Sequence, residues 1–335
     1  MTVGTLRNFD QDLVAERHRR WPDLAEYDVN LYPHPYVVHT YRPGSSSRVY
    51  SIDQEGFRLS TSPQGPVDST SWLAGGGGLV VGASTAFGVG ASSDAATLPS
   101  RLAEVTGVPQ LNLGVPGGNS MQQLHALMPF LHAASTVVVF SGWTSLLAQL
   151  RTKKPNGVFG ATFFERIFRV VETEPLFNIA ELITGTRTAE QVAPPAPRTE
   201  GAPVEAESLA GMEAALRHQL RDLALLARAV PDSAQLVFCL QPLADPLTRD
   251  LVAEEQESFD YQLPVFGPFR EFVAKHWESY SRQFAAGCAE IGVRFVDVSA
   301  DRFEGWSFYD ATHLTDHGYQ QAAGFVTEAL DTTAA

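Results

Sequence analysis

Five short apolar runs, at residues 79–82, 110–113, 136–140, 235–240 and 293–298, each end near a turn signal, and they constrain the fold more than any other feature. Apolar, β-branched runs without polar alternation are expected of strands buried on both faces, as in parallel sheets. Between them lie helical patterns, at 98–105 with Gly107 as a stop and at 121–127. Alternating strand and helix implies a three-layer α/β/α sandwich around a mostly parallel five-stranded sheet. Open parallel sheets bind ligands at the carboxyl ends of their strands. Ser84, Gly117 and the segment Ser141-Gly142-Trp143-Thr144 all follow predicted strands, so they should converge there.

With 335 residues, 44% of them hydrophobic and 19% charged, the chain can bury a substantial core. A net charge of −14 argues against nucleic acid and anionic membranes, whose phosphates need clustered Lys and Arg. The first 21 residues lack the apolar centre of a secretory signal, and no stretch approaches the roughly 18 apolar residues of a membrane span. The expectation is a soluble, cytoplasmic protein. Of the two cysteines, Cys239 and Cys288, neither has metal-ligand spacing, and Cys239 inside an apolar run reads as a buried structural thiol.

Two additions flank the core. Residues 1–72 begin with a helical pattern and carry Tyr32, Tyr36 and Tyr41; they read as a covering segment, leaving 73–335 as the main domain. An insertion at about 150–209 separates the third and fourth strands. Its second half holds the proline-rich stretch 192–197, a linker pattern, and its first half holds the apolar run 163–171. Helical spacing in that run reads as core packing or a dimer contact ahead of a substrate lid, and a homo-oligomer is admitted.

The chemistry is carried by Ser84, Asp310 and His313. A serine hydroxyl is a weak nucleophile and needs a base within hydrogen-bond reach and a third group to orient that base. Ser84 follows a strand between small residues. Asp310 and His313, three apart, can share one turn, so that the carboxylate orients the imidazole. Backbone N–H groups of Ser84 and Gly117 at strand-to-helix turns can face a developing negative charge.

These blocks resemble the SGNH hydrolases, the GDSL-like esterases and lipases, best over 78–145 and 291–328. Gly82-Ala83-Ser84-Thr85-Ala86-Phe87-Gly88 is similar to the nucleophile block, with Ala83 where many members have Asp. Asn112-Leu113-Gly114-Val115-Pro116-Gly117-Gly118-Asn119 is similar to the block that supplies the oxyanion-hole glycine, here Gly117. Asp310-Ala311-Thr312-His313 is similar to the last block. The third block departs: Trp143 stands in the slot of an asparagine whose amide donates to the oxyanion. Losing one such donor costs about 100-fold to 1,000-fold in turnover. Trp143 through its indole N–H, Asn119 or Thr144 are the candidates to replace it. The resemblance implies a flavodoxin-like fold, an acyl-enzyme on Ser84, a small-molecule, lipid or sugar ester as substrate, and no cofactor or metal.

Weaker signals are read structurally. Gly75-Gly76-Gly77-Gly78 precedes a strand, which suits a flexible linker and not a phosphate loop. His313 and His317 have metal-pair spacing without a completing ligand set, and His125, His132 and His218 read as helix-surface residues. Three functions follow: an esterase; an acyltransferase or cyclising enzyme of secondary metabolism using the same acyl-enzyme; and a non-catalytic binding protein that keeps the cleft.

Overall fold

The computed structural model describes residues 11–27, 31–34, 36–152, 157–162, 204–245, 247–262 and 266–331. Five strands, Gly77–Gly82, Gln110–Gly114, Ala134–Ser141, Gln235–Leu240 and Arg294–Val296, form one sheet in which every neighbouring pair is parallel. The second strand lies at one edge beside the first, followed across the sheet by the third, fourth and fifth. The chain thus reverses direction across the sheet after its first two strands, and the crevice of such a sheet opens at the carboxyl ends of the strands on either side of that reversal. The five expected strands are all present. The last is the shortest because it pairs only with Val237, Phe238 and Cys239.

Helices cover both faces, completing the α/β/α sandwich. Leu98–Thr106 and Asp316–Asp331 pack together on one side; Ser120–Leu127, Trp143–Thr152, Glu205–Ala229 and Arg270–Glu290 cover the other. Leu79, Val80, Val81, Leu111, Leu113, Val137, Val138 and Phe140 are fully buried between them, which explains why these strands read as unbroken apolar runs. Cys239 is buried and unpaired within the fourth strand.

The amino-terminal segment contributes the Gln11–Arg20 helix and two small antiparallel hairpins. It packs on the sandwich through a second aromatic cluster, in which Tyr41 stacks on Phe87 at 4.5 Å beside Tyr27, Tyr50 and Ile52. Most of the 150–209 insertion, including the 163–171 and 192–197 stretches, lies outside the described residues.

Two sequence expectations are corrected here. The four glycines are no flexible linker: Gly75 ends the Ser69–Gly75 helix, and Gly77 and Gly78 open the first strand. Gly77 has φ 148°, and a Cβ there would lie 2.3 Å from the Pro109 carbonyl, so glycine serves close backbone approach. His218 is buried, packed beside Gly160, whereas His125 and His132 are exposed as expected.

Candidate active site

The first strand ends at Gly82, and after Ala83 the chain turns at once into the single-turn helix Ser84–Phe87, closed by Gly88 at φ 100°. This turn sits directly on the second strand. A Cβ at Gly114 would lie 2.2 Å from the Phe87 nitrogen, so only glycine admits the contact. Asn112 holds the same junction, its side-chain amide donating to the Phe87 carbonyl while its oxygen accepts from the Gly114 N–H. From the amino-terminal segment, the buried Arg58 donates to the Gly88 carbonyl at 2.8 Å and pairs with Asp94 at 2.8 Å. The turn is therefore fixed before any ligand arrives.

Asp310 and His313 come from a tight loop ahead of the last helix, drawn together by the Tyr309 N–H donating to the His313 carbonyl. Asp310 Oδ1 accepts the backbone N–H groups of Thr312 and His313, at 3.0 and 2.9 Å. Its Oδ2 lies 2.9 Å from His313 Nδ1, and His313 Nε2 lies 2.9 Å from Ser84 Oγ. A carboxylate only accepts, so Nδ1 carries the proton; in the neutral ring Nε2 is then the acceptor, and the Ser84 hydroxyl donates to it.

Further ties join the two halves. Thr85, next to Ser84, donates through its hydroxyl to the carbonyl of Thr312, next to His313, at 2.9 Å. The fully buried Gln241, just past the fourth strand, donates to both groups. Arg17, 293 residues away in sequence, reaches Asp310 Oδ2 at 2.8 Å. Burial by itself would push the Asp310 carboxyl up; electrostatic attraction to the His313 ring and its hydrogen bond, then Arg17 and the Thr312 N–H, hold it well below the usual carboxylate range.

On the other side of Ser84, Gly117 follows the second strand with φ 75°. The preceding Pro116 carbonyl accepts from Nε2 of the mostly buried His39, at 2.6 Å. Carbonyl and N–H of a trans peptide point in opposite directions, so this bond also fixes where the Gly117 N–H points. Asn119 has a different employment: its oxygen caps the Ser120–Leu127 helix through the Gln122 N–H, and its amide donates to the Ala161 carbonyl at 3.0 Å. Trp143 opens the helix after the third strand and is 4% exposed, its ring centred 4.2 Å from that of Phe266. Thr144 follows it, also buried.

The structure thus brings Ser84, Asp310 and His313 into one hydrogen-bonded line. Arg17, His39, Arg58, Thr85 and Gln241 were not found from the sequence, and no local pattern marks them: each acts on a residue distant in the chain. His317 is exposed, and among the described residues no group of three or more His, Cys, Asp or Glu side chains could hold a metal ion.

No family model matches the sequence, and no curated protein matches it. Solved structures do resemble the fold at low identity. An extracellular lipase from Streptomyces rimosus is 15% identical with a TM-score of 0.43, the match covering 75% of this chain and 98% of that one. Phospholipase A1 from Streptomyces albidoflavus NA297 is 16% identical at 0.44, over 75% and 98%. A putative GDSL-like lipase from Bacteroides ovatus is 12% identical at 0.41, over 76% and 53%. The cytoplasmic expectation does not stand: an extracellular protein is among these similar structures, and the features the expectation was read from do not decide a compartment. It rested on charge and on the composition of the first residues, and proteins on either side of a membrane share an acidic, soluble surface. Among the described residues no helix is long and apolar enough to cross a membrane.

Proposed function

We propose that this protein is a serine acylhydrolase that cleaves esters of small molecules, lipids or sugars through an acyl-enzyme on Ser84. The observation that carries the reading is the unbroken line from Ser84 Oγ through His313 to Asp310, both links at 2.9 Å, at the carboxyl edge of a parallel sheet. Ser84 Oγ attacks the ester carbonyl carbon while His313 Nε2 takes the hydroxyl proton. Asp310 keeps the proton of Nδ1 in place and stabilises the imidazolium that forms. The carbonyl oxygen gathers negative charge, and the backbone N–H groups of Ser84 and Gly117 are the donors assigned to it. Collapse of the tetrahedral species breaks the ester C–O bond, and the imidazolium protonates the departing alcohol. Water, deprotonated by His313, then attacks the acyl carbon, and Ser84 leaves with the proton while the free acid departs.

On this reading Trp143 works by bulk. Its ring is packed on Phe266, and Asn119 is engaged elsewhere, so the oxyanion rests on two backbone donors with Thr144 as the remaining side-chain candidate. Residues 73–335 form the hydrolase unit, and 1–72 hold its working parts.

A panel of p-nitrophenyl esters of graded acyl length, assayed with the wild type and Ser84→Ala, tests the proposal. Release of free acid by the wild type and its loss in the variant are expected. Undiminished hydrolysis by Ser84→Ala would overturn it, and conversion of an added alcohol into a new ester would move the assignment to acyl transfer.

A further inference from the structure

We propose that Arg17 is a positioning residue of this site, reaching in from the amino-terminal helix to share the Asp310 carboxylate with His313, and so keeping the base unprotonated to lower pH. The inference rests on the roles given above to Ser84, His313 and Asp310. Arg17 lies on the Gln11–Arg20 helix, whose neighbouring Arg19 and Arg20 pair at the surface with Glu16. Arg20 also reaches Glu257 at the surface, but of the three arginines only Arg17 is buried, at 6% exposed. An ion pair needed only to dock this helix could use any carboxylate. This one falls on Asp310 Oδ2, at 2.8 Å, the same oxygen that accepts from His313 Nδ1 at 2.9 Å. The other terminal guanidinium nitrogen faces the Tyr261 carbonyl at 3.5 Å.

The consequence follows from charge. Arg17, Asp310 and neutral His313 together sum to zero, so protonating His313 leaves a net positive cluster in a largely buried place. Without Arg17, the same protonation would neutralise the Asp310 charge instead. A cation in contact with the carboxylate therefore disfavours imidazolium, and its removal favours it.

The other ionisable groups around the pair do not take over this role. Asp316, at the start of the last helix, is engaged by the Ser92 N–H and hydroxyl. Tyr319 of that helix donates to the Val89 carbonyl. Tyr309 on the loop itself and Tyr27 from the amino-terminal segment are each pushed up to about 12 by burial, which keeps them uncharged. Arg58 is occupied by Asp94, Asp23 by Arg48, and Glu255 of the Ala253–Asp260 helix by Arg249.

The test is the pH dependence of kcat/KM for p-nitrophenyl acetate in the full-length protein, comparing the wild type with Arg17→Gln, Arg17→Met and Arg17→Lys. The acid-limb midpoint should rise by about one pH unit in both neutral variants, and so should cost about 10-fold in kcat/KM one unit below the wild-type midpoint. Arg17→Lys should keep the wild-type midpoint, since it retains the charge even though it loses the nitrogen that faces Tyr261. A midpoint that stays put in folded neutral variants overturns the inference. So does the failure of both neutral variants to fold, because the ion pair then belongs to docking alone. Ser84→Ala is run alongside: if it still hydrolyses the ester, the proposed function fails whatever Arg17 does. If it is inactive while the midpoints do not move, only the role of Arg17 fails.

Discussion

The two flanks of Ser84 are built differently. On the proposed base side, side chains from three separate places, Arg17, Thr85 and Gln241, converge through hydrogen bonds on the loop that carries Asp310 and His313. On the proposed oxyanion side the hydrogen bonding is backbone work, with Gly117 steered from behind by His39, and Trp143 packs its ring on Phe266. The difference follows the chemistry. A base has to be held in one tautomer and one orientation, which takes a chain of polar partners, whereas an oxyanion needs N–H groups already aimed at it.

If the base side depends on that polar chain, Asp310→Asn should have the largest effect, lowering kcat by about 10,000-fold in protein that still folds. It also leaves the buried Arg17 charge unpaired, which costs about 3–5 kcal/mol. The pH dependence of stability has a definite sign. The Asp310 carboxyl is held below its ordinary value in the folded chain, so its stabilisation is complete above about pH 4 and is lost as the pH falls further. Thermal melts should therefore show the gap between wild type and Asp310→Asn narrowing on acidification below that point. A gap that is constant from pH 7 to pH 3 would contradict the ionised, shared carboxylate.

Gly114→Ala tests the seat between the two flanks. Its Cβ would meet the Phe87 nitrogen at 2.2 Å and the Phe87 Cα at 2.4 Å, and backbone cannot rotate away. Overpacking should cost about 1–3 kcal/mol, and a displaced Ser84 turn should cost about 100-fold in kcat. Wild-type kinetics in this variant would mean the turn is adjustable, with the two flanks not fixed against each other.

Trp143→Phe should have the smallest effect, under about 10-fold in kcat, because the ring contact with Phe266 survives the change. A fall of about 100-fold with KM unchanged would return the indole N–H to the oxyanion hole and make the second flank as side-chain dependent as the first.

The same contrast decides what was legible in the sequence. The five strands were legible because burial on both faces writes each as a local apolar run, and the sheet order then brings the ends of the first three together. Ser84 stood out by its place just after a strand, between small residues, and Asp310 and His313 through a spacing that lets them share a turn. Arg17 did not, since an arginine on a charged surface helix looks the same whether it points to water or to a carboxylate 293 residues away. His39 and Gln241 were silent for the same reason. The buried His218 and the ordered glycines 75–78 were misread because what packs over them comes from elsewhere in the chain. Local pattern reports an element's own face, not its visitor.

The most direct test of the account is labelling with a fluorophosphonate, which reports an activated serine without assuming a substrate. Peptide mapping of the wild type should find the adduct on Ser84 alone, with labelling abolished in Ser84→Ala and slowed by at least about 1,000-fold in His313→Ala. An adduct on another serine, or labelling of Ser84 that is undiminished without His313, would contradict it.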